Sequence, residues 1–255
     1  MQINIQVTGL DEVRKQLGNQ GKQANFAASR ALNTTAYAIN DRLKKDMAAT
    51  FKGGATAYSL RAFKVEKADK ATLTAHVNLR TDTNGAALPY SKALAHMFTG
   101  GRRSFKKLEG WLRARRLMPS GLTVAPGAGM PLDSFGNMRR NTLTEMLGAI
   151  MSSHTNLRIW RRAGAGKQAK GIGYFVIKPG GNSRLHPGIY RRIETGRARK
   201  LGTTSSTIQP MVLYVDPVNY RKFIDLDKVG REVVTKTFQP AFDAELAKAL
   251  ASART

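Results

Sequence analysis

The sequence contains no cysteine. That removes disulfides, thiolate metal sites and thiol nucleophiles together, and it fits a reducing compartment. Histidine is scarce: His76, His96, His154 and His186 stand singly, with no HxH or HExxH spacing to encode a zinc site. No stretch reaches the roughly 18 consecutive apolar residues of a membrane-spanning helix. The opening Met1-Gln2-Ile3-Asn4-Ile5 lacks the basic and apolar regions of a signal peptide. Acidic residues are few and dispersed, and no GxSxG is present. A paired-carboxylate or nucleophile-elbow enzyme is therefore disfavoured, and we expect no enzymatic activity, cofactor or metal.

The excess lies in positive charge. Lys and Arg number 42 against 17 Asp and Glu, a formal net of +25 over 255 residues. Such a surface attracts polyanions and opposes self-association until counter-charges arrive. The cations fall into three groups. The first holds Arg102, Arg103, Lys106, Lys107, Arg113, Arg115 and Arg116, with Phe105 and Trp111 interleaved and Glu109 alone opposing. The second holds Arg158, Arg161, Arg162, Lys167 and Lys170. The third holds Arg184, Arg191, Arg192, Arg197, Arg199 and Lys200, with Tyr190 inside it. Dense arrays of this kind suffice for non-specific phosphate contact. No helix-turn-helix, RNP or zinc-finger signature offers sequence readout. Acidic neighbours in an assembly would use the same charge equally well.

At 42% hydrophobic, the chain can bury a core in one or two domains. Its longest regular signal is Lys22–Phe51, where Ala28, Leu32, Ala36, Ile39, Leu43, Met47 and Phe51 recur at helical spacing until Gly53-Gly54. Before it, Ile3, Ile5 and Val7 alternate as a strand, and Leu10, Val13 and Leu17 space as a short helix. After it, Phe63 and Val65, then Leu73, Ala75, Val77 and Leu79, alternate on two strands. Ala68-Asp69-Lys70 joins them as a hairpin loop. From Thr81 to about Gly171 glycine and proline are frequent, with one helix expected from near Asn137 through Ile150. Strands are expected at Tyr174–Ile177, Gly188–Ile193 and Met211–Val215, the last bounded by Pro210. A Ser/Thr loop spans Gly202–Thr207. The final helix starts near Asp227 and should kink or restart at Pro240.

The fold class is α+β: a long N-terminal helix packed on one mostly antiparallel sheet, with long irregular loops and a C-terminal helix. Residues 1–80 and 172–255 should form the core, with 81–171 a loop-rich insertion carrying one helix.

Two motifs have a chemical reading and a plainer one. Gly164-Ala165-Gly166-Lys167 glances at a phosphate-binding loop. It lacks the glycine required where Arg161 stands and the hydroxyl required where Gln168 stands, so a basic loop fits better. Asp225-Leu226-Asp227 could hold a divalent cation, but no third ligand is near, and acidic residues at a helix start act as caps.

Several blocks resemble the minor tail protein Z family of tailed bacteriophages. They are Ala27-Ala28-Ser29-Arg30-Ala31-Leu32-Asn33-Thr34-Thr35-Ala36 with the hairpin after it, Leu122-Thr123-Val124-Ala125-Pro126-Gly127, and Pro131-Leu132-Asp133-Ser134-Phe135-Gly136-Asn137. Gly188-Ile189-Tyr190-Arg191-Arg192 and Pro210–Val215 through Phe238 and Leu250 are similar too. The resemblance implies a virion structural protein: a tail-completion or head–tail neck component that assembles as a homo-oligomeric ring around the DNA path. It implies portal, adaptor or tail-tube and terminator subunits as neighbours, packaged DNA as a possible contact, and no membrane. Localisation would be the virion, with assembly in the host cytoplasm. It carries no catalytic residues. The middle segment, about Leu88 to Gly171, is longer than in the shortest relatives, and it and the loop around Gly202 are expected to reach adjacent subunits. The alternative from the residues alone is a stand-alone, non-specific nucleic-acid-binding protein.

Overall fold

The computed structural model describes residues 2–18, 21–81, 89–152, 158–161, 170–195 and 205–252. The elements run β1 (Gln2–Gln6), α1 (Leu10–Leu17), α2 (Gly21–Thr50), α3 (Ala57–Leu60), β2 (Phe63–Glu66), β3 (Thr74–Leu79), α4 (Tyr90–Ala93), α5 (Ala95–Thr99) and β4 (Gly101–Arg102). They continue α6 (Lys107–Ala114), β5 (Thr123–Pro126), α7 (Arg140–Ser152), β6 (Arg158–Arg161), β7 (Lys170–Ile177), β8 (Gly188–Thr195), β9 (Ser205–Val215), β10 (Asn219–Tyr220) and α8 (Leu226–Ser252). The class is α+β. The chain forms two compact units: residues 1–104 with 219–255, and residues 105–218.

The first unit is organised by α2. Its 30 residues span about 45 Å at 1.5 Å per residue. One face, with Leu32, Ala36, Ile39, Leu43 and Met47 fully buried, lies on the antiparallel sheet β1-β3-β2. The sheet offers the residues that alternation predicts. Ile3 pairs with Val77, Ile5 with Ala75, and Phe63 with Leu79, all facing inward. A second face of α2 is nearly all alanine. Ala24, Ala27, Ala28 and Ala31 have no exposed surface and pack with Leu10 and Phe242. Small side chains let two helix backbones approach closely, and α8 takes that space. Arg30 pairs with Glu245 (3.2 Å) and Arg42 with Glu232 (3.6 Å), so the two helices run antiparallel. Exposed ion pairs contribute little; the buried alanine face holds the helices together.

Two local expectations change. The hairpin loop is Lys67–Leu73, not three residues. Asp69 accepts from the backbone N–H of Ala71 (2.8 Å) and Thr72 (2.6 Å), and Leu73 sits at φ 46, outside the strand. Asn33 clamps this loop to α2. It donates to the Ala68 carbonyl (3.0 Å) and accepts from the Ala68 N–H (2.7 Å). At the other end, α8 passes Pro240 without interruption. The proline removes the helical hydrogen bond to the carbonyl of Lys236, and both residues are exposed. Asp225 caps the start of α8, accepting from the N–H of Asp227 (3.1 Å) and Lys228 (3.2 Å), as the capping alternative required.

The second unit overturns the division drawn from sequence. Strands 170–215 do not complete the core of residues 1–80. They join β5 and β6 in a five-stranded antiparallel sheet, β5-β9-β8-β7-β6, so the described chain has three sheets rather than one. Helices α6 and α7 supply the rest of a separate core of Leu112, Met118, Val124, Met130, Met146, Tyr174, Ile189, Met211 and Tyr214. The segment 81–171 carries four helices among its described residues, α4, α5, α6 and α7, rather than one. The spacing Leu108, Trp111, Leu112 was the signal for α6, masked by the cations around it. Strand β9 is not bounded by Pro210 but runs through it on a bulge. Ile189 pairs with Val212 and Tyr190 with Pro210, leaving Met211 extra. A bulge is where a strand tolerates proline's missing N–H. The turn after β5 docks there: Gly127 donates to the Met211 carbonyl (2.9 Å) and Gly129 to the Pro210 carbonyl (2.8 Å).

The chain leaves and re-enters the first unit side by side. Arg102 of β4 pairs with Asn219 of β10, and Gly101 with Tyr220. Excising residues 105–218 and joining Ser104 to Asn219 by a two-residue Gly-Ser link should leave a folded protein. Cooperative thermal loss of helical circular dichroism checks this; a non-cooperative melt refutes it. A Cβ at Gly127 would stand 2.3 Å from the Pro210 carbonyl oxygen. Gly127→Ala should therefore destabilise the second unit by about 1–3 kcal/mol. Both tryptophans, Trp111 and Trp160, lie in that unit, so urea unfolding followed by tryptophan fluorescence reads the change.

Candidate polyanion-binding surface

The second unit holds nineteen Lys and Arg against five Asp and Glu, a larger share of the excess than the first. The structure divides the three groups read from sequence. Arg102 and Arg103 belong to the first unit, while Lys106 through Arg116 belong to the second. Arg102 is exposed on β4, and Arg103 is half-buried and donates to the Ser104 carbonyl (3.2 Å).

Helix α6 fixes the next five cations. Lys106 and Lys107 are exposed at its start, and Arg115 and Arg116 at its end. Arg113 lies with its guanidinium 3.5 Å from the Phe105 ring centroid and donates to the Leu122 carbonyl at 2.5 Å. Arg115 lies 4.1 Å from the Trp111 ring and donates to Met151 Sδ (3.0 Å). The interleaved aromatics are thus supports for arginines, which orders the guanidinium groups without neutralising them. Glu109, the one acid of the run, is fully buried. It accepts from the N–H of Lys106 (2.7 Å) and of Val124 (2.9 Å), tying the start of α6 to the edge strand β5.

The other two groups are less of a surface than their spacing suggests. Arg191 and Arg192 are consecutive in β8, so they face opposite sides of the sheet. Arg191 is half-buried and donates to Gln209 Oε1 (2.6 Å), whereas Arg192 is exposed and lies 5.4 Å from the Phe175 ring. Arg184 is exposed in the loop before β8. Arg158 and Arg161 stand in β6, and Lys170 opens β7. Arg162, Lys167, Arg197, Arg199, Lys200, the Gly164–Lys167 run, His154 and Gly202 lie outside the described residues. Thr207, expected in a loop, is in β9.

Among the described residues no cluster of three or more His, Asp or Glu could hold a metal ion, and no helix is long and apolar enough to cross a membrane. His76 bonds to Asn4 Oδ1 (2.8 Å) on the polar face of its sheet, and His96 lies 4.9 Å from the Tyr220 ring. Burial pushes the Tyr214 hydroxyl pKa far up, so it stays neutral. Comparison with protein-family models, with curated proteins and with solved structures returned no match.

The blocks that carry the phage-family resemblance have architectural roles. Ala27–Ala36 is the alanine face and core face of α2, and Gly127 docks on the bulge at Pro210-Met211. Pro131–Asn137 forms a tight turn. The Asp133 carboxylate accepts from the N–H of Phe135 (2.9 Å) and Asn137 (2.8 Å), with Gly136 at φ 79. The Asn137 backbone bond is the largest cause holding the Asp133 pKa below its ordinary 3.8. A depressed carboxylate contributes stability above its unfolded pKa and loses it as pH falls through the folded value. Melting temperature should therefore fall as pH drops below about 3.8. Asp133→Asn, whose side-chain oxygen still accepts, should show a shallower acid decline in tryptophan-detected melts. An unchanged decline would contradict this account of the turn.

Proposed function

We propose that this chain is a bacteriophage virion structural protein, a tail-completion or head–tail neck component forming part of a ring around the DNA path. The observation that carries the reading is the coincidence of the resemblance with architecture: each quoted block makes a packing contact or turn on which a unit depends. The positive charge supports the same role. Arginines braced on Phe105, Trp111 and Phe175 present ordered cations to packaged DNA or to acidic faces of portal, adaptor or terminator subunits. A heterologous contact that closes on itself builds the ring, and the counter-charge of neighbours relieves the repulsion between copies. We assign no catalytic role.

The test is cryo-electron microscopy of particles from cells making the protein. Density for a ring of this chain between portal and tail is expected. Absence from particles, with the protein recovered on cellular nucleic acid, would favour the second reading.

That second reading, a stand-alone nucleic-acid binder, draws on the same arginine–aromatic pairs. It requires log K for duplex DNA to fall linearly with log salt concentration. Arg192→Ala should then lower the slope by about one. A slope near zero for the purified wild-type protein would dismiss it.

A further inference from the structure

We propose that a hollow in the second unit, between the end of α6 and the turn after β7, binds a phosphate group held by Arg113, Arg116 and Lys178. The hollow encloses about 390 Å³, within the range of small-molecule sites. The three cations line it together with Leu117, Pro119 and Pro179, and among the described residues no carboxylate lines it. None of the three makes an ion pair with an acid among the described residues.

The backbone at Arg116 is the second observation. Helix α6 ends with Leu117 N–H donating to the Leu112 carbonyl (2.9 Å) and Arg116 N–H to the Arg113 carbonyl (2.9 Å). That pair of bonds defines the Schellman ending, whose left-handed residue is usually glycine. Here it is Arg116, at φ 55, one of two non-glycine residues with positive φ among the described residues. Folding alone would favour glycine at this point. An arginine in this left-handed position costs backbone strain, and its side chain lines the hollow.

Arg113 adds a preorganised donor. Its bond to the Leu122 carbonyl and its stacking on Phe105 fix the guanidinium. Lys178 is exposed and completes the trio. The Arg116 fork, the remaining N–H groups of Arg113 and the Lys178 ammonium match the several oxygens of a phosphate better than the two of a carboxylate. The apolar walls of Leu117, Pro119 and Pro179 lower the local dielectric and strengthen each contact.

A free phosphate and one in a nucleic-acid strand present the same chemistry to this site. The site does not depend on the virion reading, because it is measured on the purified full chain. Inorganic phosphate is titrated calorimetrically at constant ionic strength into wild type, Arg116→Gly and Lys178→Ala. A labelled single-stranded oligonucleotide is titrated into the same three proteins, with and without phosphate. Both variants should weaken phosphate binding about tenfold or more. Arg116→Gly should at the same time raise the unliganded melting temperature by about 2–4 °C, because glycine relieves the left-handed backbone. A protein that is more stable yet binds phosphate less well cannot be explained by misfolding. Parallel loss of oligonucleotide binding, with competition by phosphate, identifies the strand as the source. Loss of phosphate binding alone identifies a free phosphate. Wild-type phosphate affinity in both variants, or no detectable phosphate binding by wild type, overturns the proposal.

Discussion

The alanine face of α2 is the constraint on which the rest depends. Ala24, Ala27, Ala28 and Ala31 leave no side-chain bulk between α2 and its neighbour, so α8 must fill that side. The last helix of the chain is thereby committed to the first unit. Everything between Ser104 and Asn219 must form its own core or none. The paired strands β4 and β10 bring the two crossing points together, so the intervening segment is inserted with its ends already closed.

The inserted unit meets its requirement through exceptions to regular structure. Its sheet needs β9 to pass a proline, and the bulge at Met211 permits it. The bulge leaves two carbonyls free, and only glycines approach closely enough to use them, which explains Gly127 and Gly129. A buried glutamate, Glu109, then satisfies the N–H of the short edge strand and the first turn of α6 at once. Four of the largest contributors to the core are methionines, Met118, Met130, Met146 and Met211. Their flexible side chains fill the irregular space such features leave.

Charge in the sequence and charge on the surface proved to be different quantities. Arg102 and Arg116 lie fourteen residues apart in one run but belong to separate units. Arg191 and Arg192 are neighbours in the chain but lie on opposite sides of a sheet. Arg113 is partly consumed by a carbonyl and a ring. Density of cations along a chain therefore overstates the array that a partner meets. It also conceals helices, because α6 was hidden by the arginines that decorate it.

The amino-acid order alone determined the elements whose periodicity is long or strict: α2, the β2–β3 hairpin, the strands around Tyr174, Ile189 and Val212, α7 and α8. It determined the cap at Asp225 and the polar placement of His76, because caps and alternation are local rules. Tertiary structure decided the partition into units, since helical and strand periods say which face is apolar and not which element will cover it. It decided that Asn33, an unremarkable polar position on α2, clamps a loop thirty-five residues away. It also brought Lys178 into the same hollow as Arg113 and Arg116 and placed an arginine in a left-handed turn. Those features depend on contacts between distant residues, and no window of sequence contains them.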